Sequence, residues 1–182
     1  KLQKASLKAS ERDHMLSLVS GIAKASIFLD DTPSLTIEAL VRKCGQLKLR
    51  HKADLIIIDY LELISSLEGN FGNRAEELSV VVKGIKEMAA ELNIPVLLFS
   101  QIPSAFPGFG QPRPDIRDVP VYLSEHSDTV LFLHRSDLVP GKEKTNGKAH
   151  VELVVAKHND PERQVVLPLA YIESIAKFTD LS

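Results

Sequence analysis

The feature that most restricts how this chain can fold is an unbroken apolar run, Leu55–Ile58 inside "ADLIIIDYLELI" (53–64), closed by Asp59. A run without apolar–polar alternation predicts a strand buried on both faces, as in a helix-covered parallel sheet. Two similar runs follow, "IPVLLFSQ" (94–101) and "SDTVLFLHR" (127–135). Between the first two, Leu78, Val82, Ile85, Ala89 and Leu92 recur at helical spacing, which predicts a helix over roughly Arg74–Leu92. Strand and helix thus alternate. The expected fold is α/β, with a mostly parallel sheet and right-handed crossovers.

The remaining segments extend this order. Ser10–Lys24 reads as a helix, with Ser10 as cap, Asp13 three residues on, and Met15, Val19 and Ile22 on one face. A short strand is expected at Ser26–Leu29, then a break at "DDTPSLT". Thr36 caps a second helix, Ile37–Arg50, whose apolar stripe is Ile37, Leu40, Cys44 and Leu47. Near the end, "HVELVVAKH" (150–158) and "RQVVLPL" (163–169) flank a short "NDPE" turn, a hairpin signal. Residues 65–73 and 136–148 read as polar loops. Segment 102–120 holds Pro103, Pro107, Pro112, Pro114 and Pro120, half of the chain's ten prolines, and predicts a long extended loop.

Several function classes drop out. The 182 residues contain no G-x-x-x-x-G-K-[ST] phosphate loop, no H-E-x-x-H or paired-cysteine metal motif, and no G-x-S-x-G elbow. The single cysteine, Cys44, rules out an internal disulfide and reads as a small buried apolar residue. No apolar stretch approaches membrane-spanning length and the start is not signal-like, so a cytoplasmic protein with no membrane partner is expected. A net charge of −2 gives no global basic field, so any nucleic-acid contact must come from local loops.

In a parallel sheet, ligands bind beyond the carboxyl ends of the strands. Asp59 and Gln101 end two of the apolar runs at that edge. A carboxylate there can hold the hydration shell of a magnesium ion on nucleotide phosphates, and a glutamine can reach a terminal phosphate or position a water. The plainer alternative makes Asp59 a cap for the following turn and Gln101 the start of a loop. Lys157 and His158 sit at the hairpin tip, where a lysine is solvated surface unless another subunit lies opposite.

The ordered series "IFLDDTPSLTIEAL", "ADLIIIDYLELI", "NRAEELS", "LNIPVLLFSQI", "DTVLFLHR" and "VELVVAKH" resembles the carboxyl-terminal motor domain of DnaB-type replicative helicases. The resemblance spans nearly the whole chain, and implies that residues 1–182 are a single partial domain with a RecA-like three-layer core and a C-terminal β-hairpin. It implies an ATP-dependent DNA helicase motor that forms hexameric rings around single-stranded DNA. It implies Asp59 as the Mg²⁺-side carboxylate, Gln101 as the sensor of the terminal phosphate of ATP, and Lys157 as the lysine that reaches a neighbouring subunit's nucleotide. Loops 65–73 and 102–126 match those facing the central channel, which puts nucleic-acid contacts around Asn73, Arg74, Arg113 and Arg117. A helicase loader or primase would be a further partner. Where the family carries an arginine two residues after the hairpin lysine, this chain has Asn159, and Arg163 lies further along. That departure keeps an alternative open: a non-catalytic DnaB-like scaffold or DNA-binding replication accessory.

Overall fold

The computed structural model describes residues 8–51, 53–67, 69–102, 113–135, 149–160 and 165–180. The expected loop at 136–148 and Arg163 lie outside the described residues, as does most of the proline-rich segment. The chain divides into two compact units, Lys1–Pro33 and Ser34–Ser182.

The first unit holds one helix, α1 (Ala9–Ala23). Its cap is Lys8 rather than Ser10: Glu11 at the third helical position accepts from the Lys8 backbone N–H at 2.9 Å. A glutamate reaches back to a cap N–H more readily than the shorter Asp13 could from a register two residues later. The expected strand at 26–29 does not form. Instead Asp30 accepts from both the backbone N–H and the hydroxyl of Thr32, turning the chain at once.

The second unit begins with α2 (Ile37–His51). Thr36 caps it as expected, its hydroxyl accepting from Ala39 N at 3.3 Å, and Ile37, Leu40 and Cys44 are buried on one face. Next come β1 (Ile56–Ile58), a 3₁₀ turn at Leu61–Leu63, α3 (Arg74–Leu92) and β2 (Val96–Leu98). The side chain of Asn73 caps α3, Glu76 and Glu77 suit the positive end of its dipole, and Asn93 ends it in the left-handed conformation (φ 50°). Leu78, Val81, Val82, Ile85 and Met88 form its buried stripe. This stripe joins α2, β1, Leu61, Ile64, Ile94 and Leu123 in one core.

Strands β1 and β2 run parallel, with Ile56, Ile57 and Ile58 beside Val96, Leu97 and Leu98, and α3 connects them. This is the expected strand–helix–strand unit. The expectation of a mostly parallel sheet is corrected beyond it. After the short α4 (Val121–His126), β3 (Val130–Arg135), β4 (Ala149–Lys157), β5 (Val166–Ile172) and β6 (Lys177–Asp180) form a four-stranded antiparallel sheet in chain order. Between β5 and β6 the connection is a single 3₁₀ turn, Glu173–Ile175, and a connection that short can return the chain only antiparallel, whereas a parallel neighbour needs a crossover. The predicted hairpin is β4–β5, and the sheet continues from it on both sides. The expectation that 55–59 is buried on both faces is also corrected. Ile56 and Ile58 are buried but Ile57 is 59% exposed, as is the adjacent Leu97 at 41%.

Candidate functional site

The carboxyl ends of β1 and β2 form one edge. Pairing continues past the strands, with Phe99 N donating to Ile58 O at 2.9 Å and Leu61 N to Phe99 O at 2.8 Å. Asp59 therefore stands beside Phe99, with Ser100 and Gln101 just beyond, and the Asp59–Tyr60 peptide is cis. The structure brings Asp59 and Gln101 to the same edge, as their places in the sequence suggested.

The two readings of Asp59 separate here. The 3₁₀ turn that follows is capped by Tyr60 without any side-chain hydrogen bond. Asp59 is exposed, and among the described residues its carboxylate has neither a hydrogen bond nor an ion pair. It is not a cap. The side chain of Gln101 is likewise exposed and unbonded among the described residues; only its backbone N–H is engaged. Both groups are presented to solvent from the strand end. Among the described residues no cluster of three or more His, Cys, Asp or Glu side chains could hold a metal directly. The donor set fits a hydrated magnesium ion held through its waters by one carboxylate.

Glu62 was not singled out from the sequence. Its Oε1 accepts from Ser100 Oγ at 2.7 Å and from Gln101 N at 3.1 Å, fastening the two strand ends together. Its place between Leu61 and Leu63 in "YLELI" was the available signal: an acid in an apolar run needs a local donor. Nearby, burial raises the Tyr122 hydroxyl's pKa, and the negative charge of Glu62 adds to the effect.

The loop-side candidates are engaged within the protein. Arg74 Nη2 donates to the carbonyls of Glu62 (2.9 Å) and Ile64 (2.7 Å), while Nη1 meets Glu77 Oε2 at 2.5 Å. The Ser66 N–H and then Arg74 hold the Glu77 carboxyl below its ordinary range. Burial pushes Glu38 up, but its hydrogen bonds, including those from Leu67 N and Ser66 Oγ, outweigh this and leave it lowered. Asn73 is the α3 cap. Arg113 pairs with Glu152 at 2.8 Å, and Arg117 with Asp115. Lys157 ends β4 on the antiparallel sheet, where its Nζ donates to the Ser124 carbonyl at 2.5 Å. A 310 Å³ groove on that sheet is lined by residues including Arg113, Pro114, Asp115, Val154 and Val166.

Comparison with known proteins places this architecture. Residues 1–180 match the family described as the DnaB-like helicase C-terminal domain. The chain belongs to that family. Among its relatives, the replicative DNA helicase DnaB of Geobacillus stearothermophilus is 32% identical over 166 residues, which cover 90% of this chain and 36% of that protein. The replicative DNA helicase DnaC of Bacillus subtilis is 28% identical over 183 residues, covering 99% of this chain and 39% of that protein. The chain therefore spans under two-fifths of the length of these relatives. In structure it resembles a solved ATPase domain, with a TM-score of 0.84 at 22% identity, covering 99% of this chain and 63% of that one. It also resembles a DnaB-like replicative helicase described with its interactions with primase, with a TM-score of 0.82 at 23% identity, covering 98% of this chain and 43% of that one. These two likenesses establish the fold. No helix among the described residues is long and apolar enough to cross a membrane.

Proposed function

We propose that this chain is the carboxyl-terminal part of an ATP-dependent replicative DNA helicase motor, one partial RecA-like domain that works in the cytoplasm. The observation that carries the reading is the pair of unengaged side chains, Asp59 and Gln101, on one strand-end edge of a DnaB-family fold. Asp59 would hold the hydrated Mg²⁺ of Mg·ATP, which supplies charge neutralisation to the phosphates. Gln101 would meet the terminal phosphate and report its loss. Lys157 would serve a nucleotide on a neighbouring subunit of a hexameric ring once it leaves the Ser124 carbonyl. Single-stranded DNA would be tracked by loops around Asn73, Arg74, Arg113 and Arg117, with a loader or primase as a further partner.

The 182 residues contain no phosphate loop, so hydrolysis needs a cradle supplied from outside this sequence. Two measurements test the reading. Residues 1–182 alone should show no DNA-stimulated ATPase; measurable turnover would overturn that statement. In the full-length protein, isothermal titration should show that Asp59→Asn weakens Mg²⁺-dependent ATP binding. Unchanged binding would remove Asp59 from the role.

A second reading has one observation in its favour: Asn159 stands where the family carries its arginine, the residue type that stabilises transition-state charge on phosphoryl groups. On that reading the chain is a non-catalytic scaffold or DNA-binding replication accessory. Full-length protein that binds Mg·ATP but does not turn it over would favour it.

A further inference from the structure

An unbroken set of hydrogen bonds runs from Gln101 to the start of the 65–73 loop. The Gln101 N–H and the Ser100 hydroxyl donate to one oxygen of Glu62. The Glu62 carbonyl, one residue's backbone away, accepts from Arg74 Nη2, which also holds the Ile64 carbonyl. The other arm of the same guanidinium binds Glu77 Oε2, and Glu77 Oε1 accepts from Ser66 N at 2.9 Å. Ser66 Oγ and Leu67 N then meet Glu38 Oε1 at 3.1 and 3.2 Å. Ser65 is fixed separately, through backbone bonds with Leu35 and Ile37.

The geometry distinguishes this set from a generic surface network. Arg74 bonds both to the Glu62 carbonyl and to the glutamate that holds Ser66, and its planar fork allows two rigid directions of bonding at once. The carboxylate that holds the Gln101 strand end and the carbonyl that Arg74 holds belong to one residue, Glu62, inside the short 3₁₀ turn Leu61–Leu63. A shift of the Gln101 strand end larger than the Glu62 side-chain torsions take up either breaks the Glu62 bonds or moves the carbonyls that Arg74 holds.

We propose that Glu62 and Arg74 are positioning residues that tie the strand end at Gln101 to Ser66 and Leu67, so that displacement at the nucleotide side is passed to the loop. The functional meaning rests on the helicase reading above; the mechanical link does not.

Amide hydrogen exchange on the full 182-residue chain, without nucleotide, tests the link. The amide of Ile85 in the core of α3 serves as the reference, so general loosening is divided out. Glu62→Ala should speed exchange at Gln101 by about tenfold, as its acceptor is lost, and at Ser66 by about threefold, although Ser66 touches no atom that was removed. Glu62→Gln keeps an acceptor oxygen and should restore both. Arg74→Met should act in reverse, speeding Ser66 and then Gln101, because coupling between two sites is reciprocal. Should Glu62→Ala not fold, Ser100→Ala removes one of the two bonds to the same oxygen and carries the same expectation at smaller size. Exchange that changes only at Ser100 and Gln101 in the Glu62 variants, or only at Ser66 in Arg74→Met, overturns the proposal. Since no nucleotide is used, that outcome leaves the Mg·ATP reading standing, and a failed ATP titration leaves the link standing.

Discussion

Gly84 on α3 lies so close to Ile37 on α2 that a Cβ built on the glycine would sit 2.7 Å from Ile37 Cγ1. The two helices meet here because the glycine has no side chain. Gly84→Ala gains about 1 kcal/mol of helix propensity but overpacks a filled core, which costs about 1–3 kcal/mol. The expected net result is a loss of about 1 kcal/mol, read as a lower urea midpoint with unchanged slope. In the Ile37→Ala background the same change should be neutral or stabilising. A raised midpoint in the otherwise unaltered chain would mean that α2 moves aside freely.

Much of this packing could be read in the sequence. The bounds of α3 and the cap at Thr36 follow from local rules, periodicity and a side-chain acceptor, which act within a few residues. The strand-end places of Asp59 and Gln101 follow from where the apolar runs stop. The antiparallel sheet was half legible: the "NDPE" segment between two apolar runs signals the β4–β5 hairpin, whereas the pairing of β3 with β4 and the addition of β6 are choices of partner that no local pattern encodes. The six-residue α4 is too short to display a helical period. The contacts of Glu62 and Lys157 were illegible for a related reason, since their partners Ser100 and Ser124 lie 38 and 33 residues away in the chain.

Leu61 is fully buried at the start of the 3₁₀ turn and anchors the candidate site to the core. Leu61→Ala should cost about 2–5 kcal/mol, the sum of lost transfer energy and a cavity. Chemical denaturation reads the loss. A cost below about 1 kcal/mol would show that the site can collapse onto the gap.

The Asn73 side chain accepts from Glu76 N at 3.0 Å, satisfying one of the free N–H groups of α3. Asn73→Ala should cost about 1 kcal/mol, whereas Asn73→Asp should keep the cap and a favourable interaction with the helix dipole but lose the Nδ2–H bond to Glu76 Oε1 and face that carboxylate, so it should fall between the parent and the alanine variant. Thermal denaturation of the three proteins should place the alanine variant lowest, by about 2–4 °C for a domain of this size. Equal melting temperatures would remove the cap from the account of α3.

The hydrogen bonds from Arg117 hold the Asp115 carboxyl down from 3.8 to about 2. A carboxyl depressed in the folded state favours folding above its unfolded value, and this contribution fades as pH falls from there through about 2. Both side chains are well exposed, so the shift, not a stability change, is the useful signal. In carboxyl ¹³C NMR titration, Arg117→Met should move the Asp115 midpoint up toward 3.8. An unmoved midpoint would mean that the pair does not form in solution.

Ile57 and Leu97 are neighbours in register on one face of the parallel pair, flanked by Leu55 and Phe99. Ile57, Leu97, Leu55 and Phe99 are 59%, 41%, 52% and 45% exposed, although a parallel strand of this composition needs cover on both faces. Contiguous apolar surface of this kind drives association in water. The isolated 182-residue chain should therefore self-associate as its concentration rises, seen as a growing mean mass in size-exclusion light scattering. Ile57→Thr combined with Leu97→Thr puts β-branched side chains at both strand positions while reducing apolar area, so it should lower the association without unfolding the pair. The contrast matters because Val130–Arg135 also exposes Leu131 and Leu133, at 47% and 56%. If the double variant associates as strongly as the parent, the adhesive surface lies elsewhere, on the antiparallel sheet or on the exposed apolar residues of α1, Leu16, Leu18, Val19 and Ile22. A parent chain that stays a monodisperse monomer at high concentration would show that the Ile57–Leu97 face does not drive association.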